Sequence, residues 1–423
     1  MHMKIVGLIA EYNPFHNGHA YHIRKAKAVT GADYCIVVMS GNYVQRGTPA
    51  VISKYDRTRM ALESGADLVL ELPVSFSTSS AELFAKAAVS LLDHTGIVDC
   101  LCFGSECGEI GPLQQIAHIF LEEPPLYREE LLKNLREGNP YPKARNDALI
   151  QYLLKSDRTS SAVESIYKAT SLLSSPNNIL GIEYLKALIS SKSRIVPYTI
   201  SRMSSQYHSM NLDMPFCSAT AIRTSLEDCT DLNLLRSQVP DGCLRILNEA
   251  YEKSCPITSN DFSSLLNYRL LTEETYSSYD GFSEELAARL QNLLPDFMEF
   301  ENWADALKTK SYTRTRICRS LLHLILGIRS ADVETYQEYD CCLYARILGF
   351  RSRSSQLLTH MKNHCQVPMI TKMADAKAFL SPVGRRMLEQ EIHASHLYNL
   401  AVFQKFGTKL KNEYRAGIIK WSE

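Results

Sequence analysis

Two histidines near the start of the chain, His16 and His19, have the residue types and spacing to stabilise charge on a phosphate group. They flank Asn17 and Gly18, directly after the apolar run Ile5–Ala10 and before a helical pattern. Imidazoles three residues apart at a helix start share one face, beside backbone N–H groups that favour anions. Such donors stabilise the charge that builds when an α-phosphate is attacked. Gly18 has no Cβ, so a ligand can approach the backbone closely.

A second segment with phosphate-binding residue types lies far along the chain, at Ser218-Ala219-Thr220-Ala221-Ile222-Arg223. Its two hydroxyls and the Arg223 guanidinium fit the β- and γ-phosphates, because arginine makes bidentate contacts with phosphate. The alternative is a simple helix cap, since Ser and Thr are favoured at helix starts. For the first segment, the alternative is a turn with two incidental histidines.

Strand and helix patterns alternate through the first part of the chain. Strand patterns cover residues 5–10, 34–39, 66–74 and 98–103, and helical patterns cover residues 20–29, 54–63 and 80–92. This alternation predicts an α/β fold, a Rossmann-like doubly wound parallel sheet with helices on both faces. Ligands of such sheets bind beyond the carboxyl ends of the strands, where the strand order reverses. The histidines follow the first strand, which favours the phosphate site over an incidental turn.

The remainder of the chain is mainly helical. Residues 126–190 are mostly helical, with a helix start at Pro176-Asn177-Asn178; residues 194–200 form a further strand and residues 218–226 a helix. After residue 242 the strand signals fade. We therefore predict two domains, a nucleotide-binding domain at residues 1–238 and a mainly helical domain at residues 239–423.

The composition restricts the class of protein. Lys plus Arg and Asp plus Glu number 46 each, so nucleic-acid binding requires a local basic patch. No apolar stretch approaches the roughly 20 residues of a bilayer span and no signal-peptide pattern is present, so we expect a cytoplasmic protein with no membrane partner. The 12 cysteines include no Cys-x-x-Cys pair. We therefore expect free thiols, and neither structural zinc nor disulfides.

Together, the two segments resemble the nucleotidyltransferase superfamily, which pairs a His-x-Gly-His loop with a Ser/Thr-rich phosphate segment ending in Arg. Several stretches are also similar to the tRNA(Met) cytidine acetate ligase family: GLIAEYNPFHNGHAYHI, MSGNYVQRGTPAVISKYDRTRMAL, FGSE, PNNILGIEYLKAL and FCSATAIR. This similarity covers most of residues 3–226 and is weaker beyond, for example at YARILGF.

The resemblance implies a two-step reaction. Acetate and ATP first form acetyl-AMP and pyrophosphate; the acetyl group then passes to N4 of the wobble cytidine of elongator tRNA(Met), forming N4-acetylcytidine. The implied catalytic residues are His16, His19, Ser218, Thr220 and Arg223, with Mg²⁺ accompanying the pyrophosphate. Residues 1–238 then form the ATP-binding catalytic domain, and residues 239–423 form a tRNA-binding domain.

The resemblance also implies an ATP site built around the first loop. Its residues there are Ile9, Ala10, Glu11, Tyr12, Asn13, Pro14, Phe15, His16, Asn17, Gly18, His19, Ala20, Tyr21 and His22. Gly104, Arg202 and either Asn177 or Asn178 complete the site. A side chain at position 104, at a strand end, would block adenine or ribose. For the asparagines, a helix cap is the alternative to a ligand contact.

Further basic residues are candidates for contacts with phosphate, acetate or tRNA. Arg46 and Lys54 follow the second strand, and the alternative for each is an ordinary surface charge. In the C-terminal half, basic residues with aromatic neighbours are candidates for tRNA binding: Lys308, Lys310, Arg314, Arg316, Arg319, Arg346 and Arg351. Solvated helix faces are the alternative for this group.

Two other functions stay open. A small-molecule adenylyltransferase of cofactor synthesis would use the same nucleotide site, but such enzymes are compact and the chain has about 180 further residues. A non-catalytic nucleotide- or RNA-binding protein would need no turnover. The complete set of His16, His19, Ser218, Thr220 and Arg223 counts against this second alternative.

Overall fold

The computed structural model describes residues 3–156, 169–202, 218–228 and 232–422. A central sheet contains the strands β1 (Ile5–Ala10), β2 (Tyr34–Ser40), β5 (Leu68–Leu72), β6 (Cys100–Ser105), β7 (Val196–Ser201), β8 (Ala345–Arg351), β9 (Met369–Ile370) and β10 (Ile419–Trp421). Their order is β10-β8-β5-β2-β1-β6-β7, with β9 paired to β8. A separate antiparallel hairpin in the loop after β2 consists of β3 (Tyr43–Val44) and β4 (Thr48–Pro49).

The chain winds in two directions from β1, as predicted. Parallel pairing joins β1 to β2 on one side and to β6 on the other, and β5 and β7 extend the two halves, also in parallel. The strand order therefore reverses between β1 and β6, and the loops after these strands border one crevice. The predicted α/β, doubly wound fold class is confirmed.

Helices enclose the sheet. In chain order they are α1 (Asn17–Thr30), α2 (Lys54–Glu63), α3 (Val74–Ser77), α4 (Ala81–His94), α5 (Ile110–Glu122), α6 (Pro125–Arg136), α7 (Tyr141–Ser156), α8 (Pro176–Ser190), α9 (Ala219–Asp228), α10 (Asp241–Ala250), α11 (Ser263–Thr272), α12 (Glu284–Leu293), α13 (Phe300–Leu307), α14 (Arg314–Leu326), α15 (Ser330–Glu338), α16 (Ser355–His364), α17 (Met373–Phe379) and α18 (Pro382–Phe406). Within the described ranges, none is long and apolar enough to cross a membrane.

Strand β2 shows why its sequence is continuously apolar rather than alternating. Ile36 and Val38 pack in one core, with residues of α4. Val37 and Met39 point the other way, into a second core that includes residues of α1 and α2. Because successive side chains of a strand point to opposite faces, a strand covered on both faces needs apolar residues at every position.

The predicted elements of the N-terminal half match the structure with shifts of a few residues. Helix α1 begins at Asn17 rather than residue 20, because His16 caps it. The strand predicted at residues 66–74 ends at Leu72, where Pro73 lacks an N–H group for the sheet and precedes α3. Residues 157–168 of the helical stretch predicted at 126–190 lie outside the described residues.

Three short strands in the C-terminal half were not predicted. Strand β8 pairs antiparallel with β5, with Phe350 opposite Leu68, and β10 pairs parallel with β8. Short apolar runs such as β8 cannot be distinguished from helix by periodicity alone. The sheet therefore includes strands from both sides of the boundary predicted after residue 238. The division of the chain into two domains stays a prediction.

A buried charge cluster joins the C-terminal half to the sheet. Lys54 Nζ lies 2.7 Å from Glu71, 3.1 Å from Glu413 and 3.6 Å from Glu391. Arg346 pairs with Glu71 at 2.5 Å and also with Glu413. Burial, and then the Glu71 carboxylate, raise the pKa of Glu391 to about 8. Glu391 therefore holds a proton at neutral pH, which leaves two cations facing two carboxylates.

The raised pKa of Glu391 predicts a pH-dependent effect of Glu391→Gln. The carboxyl titrates near pH 4.5 in the unfolded chain and near pH 8 in the folded one, so the folded state retains a proton that the unfolded state releases. Glu391 therefore destabilises the fold increasingly as the pH rises through this window. Glutamine retains the acceptor for the Val74 N–H without binding a proton. The melting temperature of the variant, relative to wild type, is expected to increase from pH 5 to pH 8.

The matched control is Glu389→Gln, because Glu389 lies on the same helix with 55% of its side chain exposed. Its difference from wild type is expected to stay constant over the same pH range. A constant difference for Glu391→Gln as well would contradict the assignment of the bound proton to Glu391.

Candidate functional site

His16 caps the start of helix α1, and His19 lies in its first turn. The ring of each histidine accepts a hydrogen bond from a backbone N–H of this segment. His16 has an extended backbone (φ −145°, ψ 174°), and its Nδ1 accepts a hydrogen bond from the Gly18 N–H at 3.0 Å. The His16 N–H donates to His19 Nδ1 at 3.3 Å, and the two rings stack with their centroids 3.7 Å apart. This reciprocal arrangement is a capping box made of histidines, and it satisfies N–H groups at the start of the helix.

Both imidazoles are neutral. Burial, followed by the Arg202 and Arg223 guanidinium groups, lowers the pKa of His16 to about 3. Burial and then His16 lower the pKa of His19 well below its usual range. Because Nδ1 of each ring accepts a hydrogen bond, we assign the hydrogen of each neutral ring to Nε2. The pair therefore offers two ring N–H donors at a helix N-terminus, an arrangement suited to phosphate oxygens.

The packing of the His16 ring requires glycine at position 18, in addition to any role of this residue in ligand access. A Cβ at this position would lie 2.9 Å from Cε1 and 3.0 Å from Nδ1 of the His16 ring. Any larger residue would therefore displace the imidazole that caps the helix. The expected role of Gly18 in ligand approach stays a prediction beside this steric one.

Other residues of the predicted ATP loop support the histidines from the buried side. Tyr12 has a left-handed backbone (φ 50°), and its ring lies 4.7 Å from the Phe15 ring and 4.8 Å from the His19 ring. Asn13 Oδ1 accepts a hydrogen bond from the Val51 N–H at 2.8 Å. Tyr12 and Phe15 are almost completely buried. Their rings therefore pack against His19 from the buried side of the loop.

Arg223 connects the second predicted segment to the first. Its Nη1 donates to the Asn13 carbonyl at 2.7 Å and its Nη2 to Thr220 Oγ1 at 3.0 Å. Ser218 Oγ accepts a hydrogen bond from the Ala221 N–H at 3.2 Å, as a helix-capping residue does. The structure thus brings Thr220 and Arg223 to the histidine loop, and Ser218 lies at the start of α9.

Gly104, Asn177 and Arg202 lie together at the carboxyl ends of β6 and β7. A Cβ at Gly104 would lie 3.1 Å from Arg202 Cγ, and Arg202 Nη1 donates to Asn177 Oδ1 at 3.2 Å. Asn178, in contrast, is 2% exposed, and its Oδ1 accepts hydrogen bonds from two N–H groups of the loop after β6. Asn177 therefore lies with the other predicted ligand residues, while Asn178 holds the loop.

The loop after β2 places Arg46 and Lys54 in different environments. Arg46 is exposed on the β3–β4 hairpin. At Gly47 (φ 77°) a Cβ would lie 2.3 Å from the Arg319 nitrogen, so the hairpin packs directly against α14. Lys54 is fully buried in the charge cluster, and a contact with phosphate, acetate or tRNA does not fit this position. The carboxylates of Glu71 and Glu413 explain why a lysine is stable there.

The basic residues predicted to contact tRNA are partly exposed and partly paired. Lys308, Lys310 and Arg316 are exposed at the start of α14 or just before it, and Arg319 is half-buried. Arg316 lies over the Tyr312 ring, 4.7 Å from its centroid. Arg314 instead forms ion pairs with Glu301 and Asp305. A basic surface therefore lies on α14, beside the hairpin that carries Arg46.

Arg346 and Arg351 do not belong to that surface. Arg346 is 3% exposed and is part of the buried charge cluster. Arg351 is 7% exposed, and its Nε donates to the Leu62 carbonyl at 2.7 Å. Both lie on β8, which is covered by other elements, so the expectation of surface contacts with tRNA is corrected for these two residues.

Two residues of the site were missed in the sequence. Glu106 accepts hydrogen bonds from the Asn177 amide at 2.6 Å and the Asn178 N–H at 2.8 Å, so it orients both asparagines. Its position in the FGSE stretch was the available signal. Arg57, in α2, is fully buried between the carboxyl ends of β1 and β2. No periodicity or spacing indicates such a residue, because its partners are backbone carbonyl groups of other loops.

Comparisons with known proteins match the chain over nearly its whole length. The family model described as HIGH Nucleotidyl Transferase matches residues 3–413. The tRNA(Met) cytidine acetate ligase of Acetivibrio thermocellus is 40% identical over 99% of this chain and 100% of its own length, and that of Caldanaerobacter subterraneus subsp. tengcongensis is 41% identical over 94% and 96%.

Two crystal structures of Thermotoga maritima TmcAL are similar over the full length of both chains. The form bound with alpha-thio ATP has a TM-score of 0.89 at 31% identity, and the apo form has 0.91 at 30%. The similarity covers nearly the whole chain at 30–41% identity, so it is not limited to the nucleotide-binding part of the fold. The chain belongs to the tRNA(Met) cytidine acetate ligase family, within the HIGH nucleotidyl transferases.

Proposed function

We propose that this protein is an ATP-dependent ligase that activates acetate as acetyl-AMP and acetylates N4 of the wobble cytidine of elongator tRNA(Met). The observation that carries the proposal is the bond from Arg223 to the Asn13 carbonyl, which joins both phosphate-binding segments at one crevice. The names of the curated relatives and the ATP analogue in the Thermotoga maritima structure support it.

In the first step, a carboxylate oxygen of acetate bonds to the α-phosphorus of ATP, and the bond from that phosphorus to pyrophosphate breaks. The Nε2–H groups of His16 and His19 stabilise the charge on the α-phosphate as it develops. They are suited to this because both rings are already neutral donors, fixed by the capping box. Thr220 and Arg223 bind the departing pyrophosphate, and Ser218 completes this segment.

Asn177, Arg202 and Gly104 provide the nucleoside side of the ATP site. Gly104 leaves space at a strand end, while Arg202 and Asn177 already bond to each other there. Of the two candidate asparagines, Asn177 is the ligand residue, since Asn178 is occupied by backbone N–H groups. The other residues of the loop 9–22 either contribute backbone groups to the site or, like Tyr12 and Phe15, pack on the buried side of the histidines.

We propose that Mg²⁺ accompanies ATP. In the described part of the chain, no group of three His, Cys, Asp or Glu side chains is arranged to hold a metal ion. Magnesium bound to a nucleotide needs few protein ligands, because phosphate oxygens and water fill most positions. The Thr220 hydroxyl, which accepts a hydrogen bond from Arg223, would contribute a protein oxygen. The ion would supply neutralising charge to the β- and γ-phosphates.

In the second step, the cytidine amine bonds to the acetyl carbon, the carbon–oxygen bond to AMP breaks, and the amine loses a proton. Activation is required because a free carboxylate is a poor acyl donor, whereas AMP is a good leaving group. Placing the cytidine beside acetyl-AMP supplies much of the acceleration.

The basic surface on α14 is the proposed tRNA contact of residues 239–423. Arg316 on this helix and Lys308 and Lys310 just before it are exposed, and the Arg316 guanidinium, which lies over the ring of the buried Tyr312, offers a planar surface for an unpaired base. The close approach of Gly47 to Arg319 supports a contribution of Arg46, on the same hairpin, to this surface. Phosphates bound along α14 would thus bring the anticodon to the bound acetyl-AMP. A tRNA substrate and ATP imply a cytoplasmic enzyme.

The adenylation step is tested by exchange of labelled pyrophosphate into ATP without tRNA. Wild-type protein is expected to catalyse exchange only with acetate present, because acetyl-AMP formation is reversible. His19→Ala is expected to reduce the rate by about 100-fold or more, since one donor to the developing charge is lost. Exchange that depends on a phosphorylated cofactor precursor instead of acetate would identify a small-molecule adenylyltransferase. ATP binding without any exchange would identify a non-catalytic nucleotide-binding protein.

A further inference from the structure

Arg57 in α2 donates hydrogen bonds to four backbone carbonyl groups. Its Nη1 donates to Glu11 at 2.7 Å and to Ser40 at 3.0 Å, its Nη2 to Gly41, and its Nε to Ile52 at 3.1 Å. The whole side chain is buried. Buried carbonyl groups require a donor, and a single guanidinium supplies it to all four.

Three of these carbonyl groups lie at the carboxyl ends of β1 and β2, and the loop after β1 borders the crevice. Glu11 directly follows β1 and begins the loop that carries His16 and His19. The other two groups lie at the last residue of β2 and the residue after it, where the chain enters the hairpin that carries Arg46. A second bond joins the same loops, since the Gln45 N–H donates to Glu11 Oε1 at 2.7 Å.

The chemistry of the guanidinium group explains this use of arginine. Its five N–H groups lie in one plane and diverge, so they reach several acceptors at once, whereas a lysine ammonium cannot match that geometry. Burial lowers the pKa of Arg57 to about 10, so the group stays charged at neutral pH. Tyr398, Glu11, Glu71 and Asp56 oppose that decrease. The positive charge strengthens each bond to a carbonyl oxygen.

We propose that Arg57 is a positioning residue for the nucleotide site. By holding the ends of β1 and β2 together, it sets the separation between the histidine loop and the Arg46 hairpin. Arg57 contacts the backbone at the start of these two segments, and its effect on ATP binding is exerted only through their positions. The inference rests on the proposed function only in taking ATP as the ligand.

The test compares Arg57 with Arg351, a second buried arginine. Arg351 lies on β8 and donates hydrogen bonds to backbone carbonyl groups of α2, the helix that carries Arg57. Arg351 donates to Leu62 at 2.7 Å and to Glu63 at 3.3 Å, at the opposite end of α2 from the crevice. Arg57→Met, Arg57→Lys and Arg351→Met are each compared with wild type. The two measurements are the melting temperature and the dissociation constant of ATP by calorimetry.

Both methionine variants are expected to melt at lower temperature, because each leaves buried carbonyl groups without a donor. Of these two, Arg57→Met alone is expected to bind ATP more weakly, by about 100-fold, the scale of effect expected for a displaced binding loop. Arg57→Lys retains the charge and part of the bonding, and about a tenfold weakening is expected. Arg351→Met is expected to bind ATP as wild type does.

Unchanged ATP affinity in Arg57→Met would overturn the inference, and so would an equal loss of affinity in Arg351→Met. If Arg57→Met does not fold, Arg57→Lys decides: wild-type affinity at a reduced melting temperature would show a merely structural role. Failure of the proposed function is distinguishable, because it would appear as wild-type ATP binding without acetate-dependent exchange. That result would leave the comparison of ATP affinities intact.

Discussion

Replacing His16 by asparagine is expected to reduce the rate of acetyl-AMP formation by about 100- to 1,000-fold, the usual cost of losing one preorganised donor to a developing oxyanion. Stability is expected to change little. Asparagine is among the best N-cap residues, so its side-chain oxygen can replace the Nδ1 that accepts from the Gly18 N–H. Its amide N–H groups are attached directly to Cγ, so they do not extend to the position of the imidazole Nε2–H. The variant therefore separates chemistry from helix capping.

The control is His16→Ala, which removes the cap and the donor together. It is expected to lose activity to the same extent and about 1 kcal/mol of stability in addition. Activities are compared by acetate-dependent pyrophosphate exchange, and stabilities by denaturant unfolding. Wild-type exchange in His16→Asn would contradict a role for the imidazole in the reaction and reduce His16 to a helix cap.

Replacing Lys54 by methionine is expected to destabilise the protein by about 3–5 kcal/mol, as removal of one partner from a buried ion pair does. Lys54 Nζ contacts Glu71, Glu413 and the Ser395 hydroxyl, and its side chain has no solvent exposure. Without it, Arg346 alone faces the carboxylates of the cluster. The cluster is buried away from bulk solvent, so the cost of the unbalanced charge falls on the folded state.

Unfolding in urea measures this effect, with Lys377→Met as the control. Lys377 pairs with Glu389 at 2.7 Å, but about half of each side chain is exposed, so its loss is expected to leave the unfolding midpoint close to wild type. A midpoint for Lys54→Met as close to wild type as that of the control would contradict the account of the cluster. It would mean that the carboxylates change protonation or move at little cost.

The N-terminal sheet and the centre of the site could be predicted because their signals are local. Apolar runs alternate with helical periods, and His16 and His19 directly follow the first strand. The second segment was recognised by its hydroxyl residues and Arg223, and Arg223 does reach the first loop, through the Asn13 carbonyl. In both cases, the pattern within a short stretch determines the local structure.

The residues that were misjudged are those whose partners lie far away in the sequence. Lys54 and Arg346 look like surface charges, but each contacts Glu413, a residue near the C-terminus of the chain. Arg57 bonds to carbonyl groups, which every residue has, so no sequence pattern marks its partners. Strand β8 pairs with β5, a strand from the other half of the chain. Burial of this kind is decided by tertiary packing.

The most direct test of the proposed function follows the acetyl group itself. The protein is incubated with ATP, isotopically labelled acetate and elongator tRNA(Met), and the nucleosides of the tRNA are analysed by mass spectrometry. We predict labelled N4-acetylcytidine at the wobble position, with no product when ATP is omitted or when uridine replaces that cytidine, and with labelling about 100-fold slower in His19→Ala. Absence of label from the tRNA with wild-type protein, or label that enters without ATP, would contradict the account.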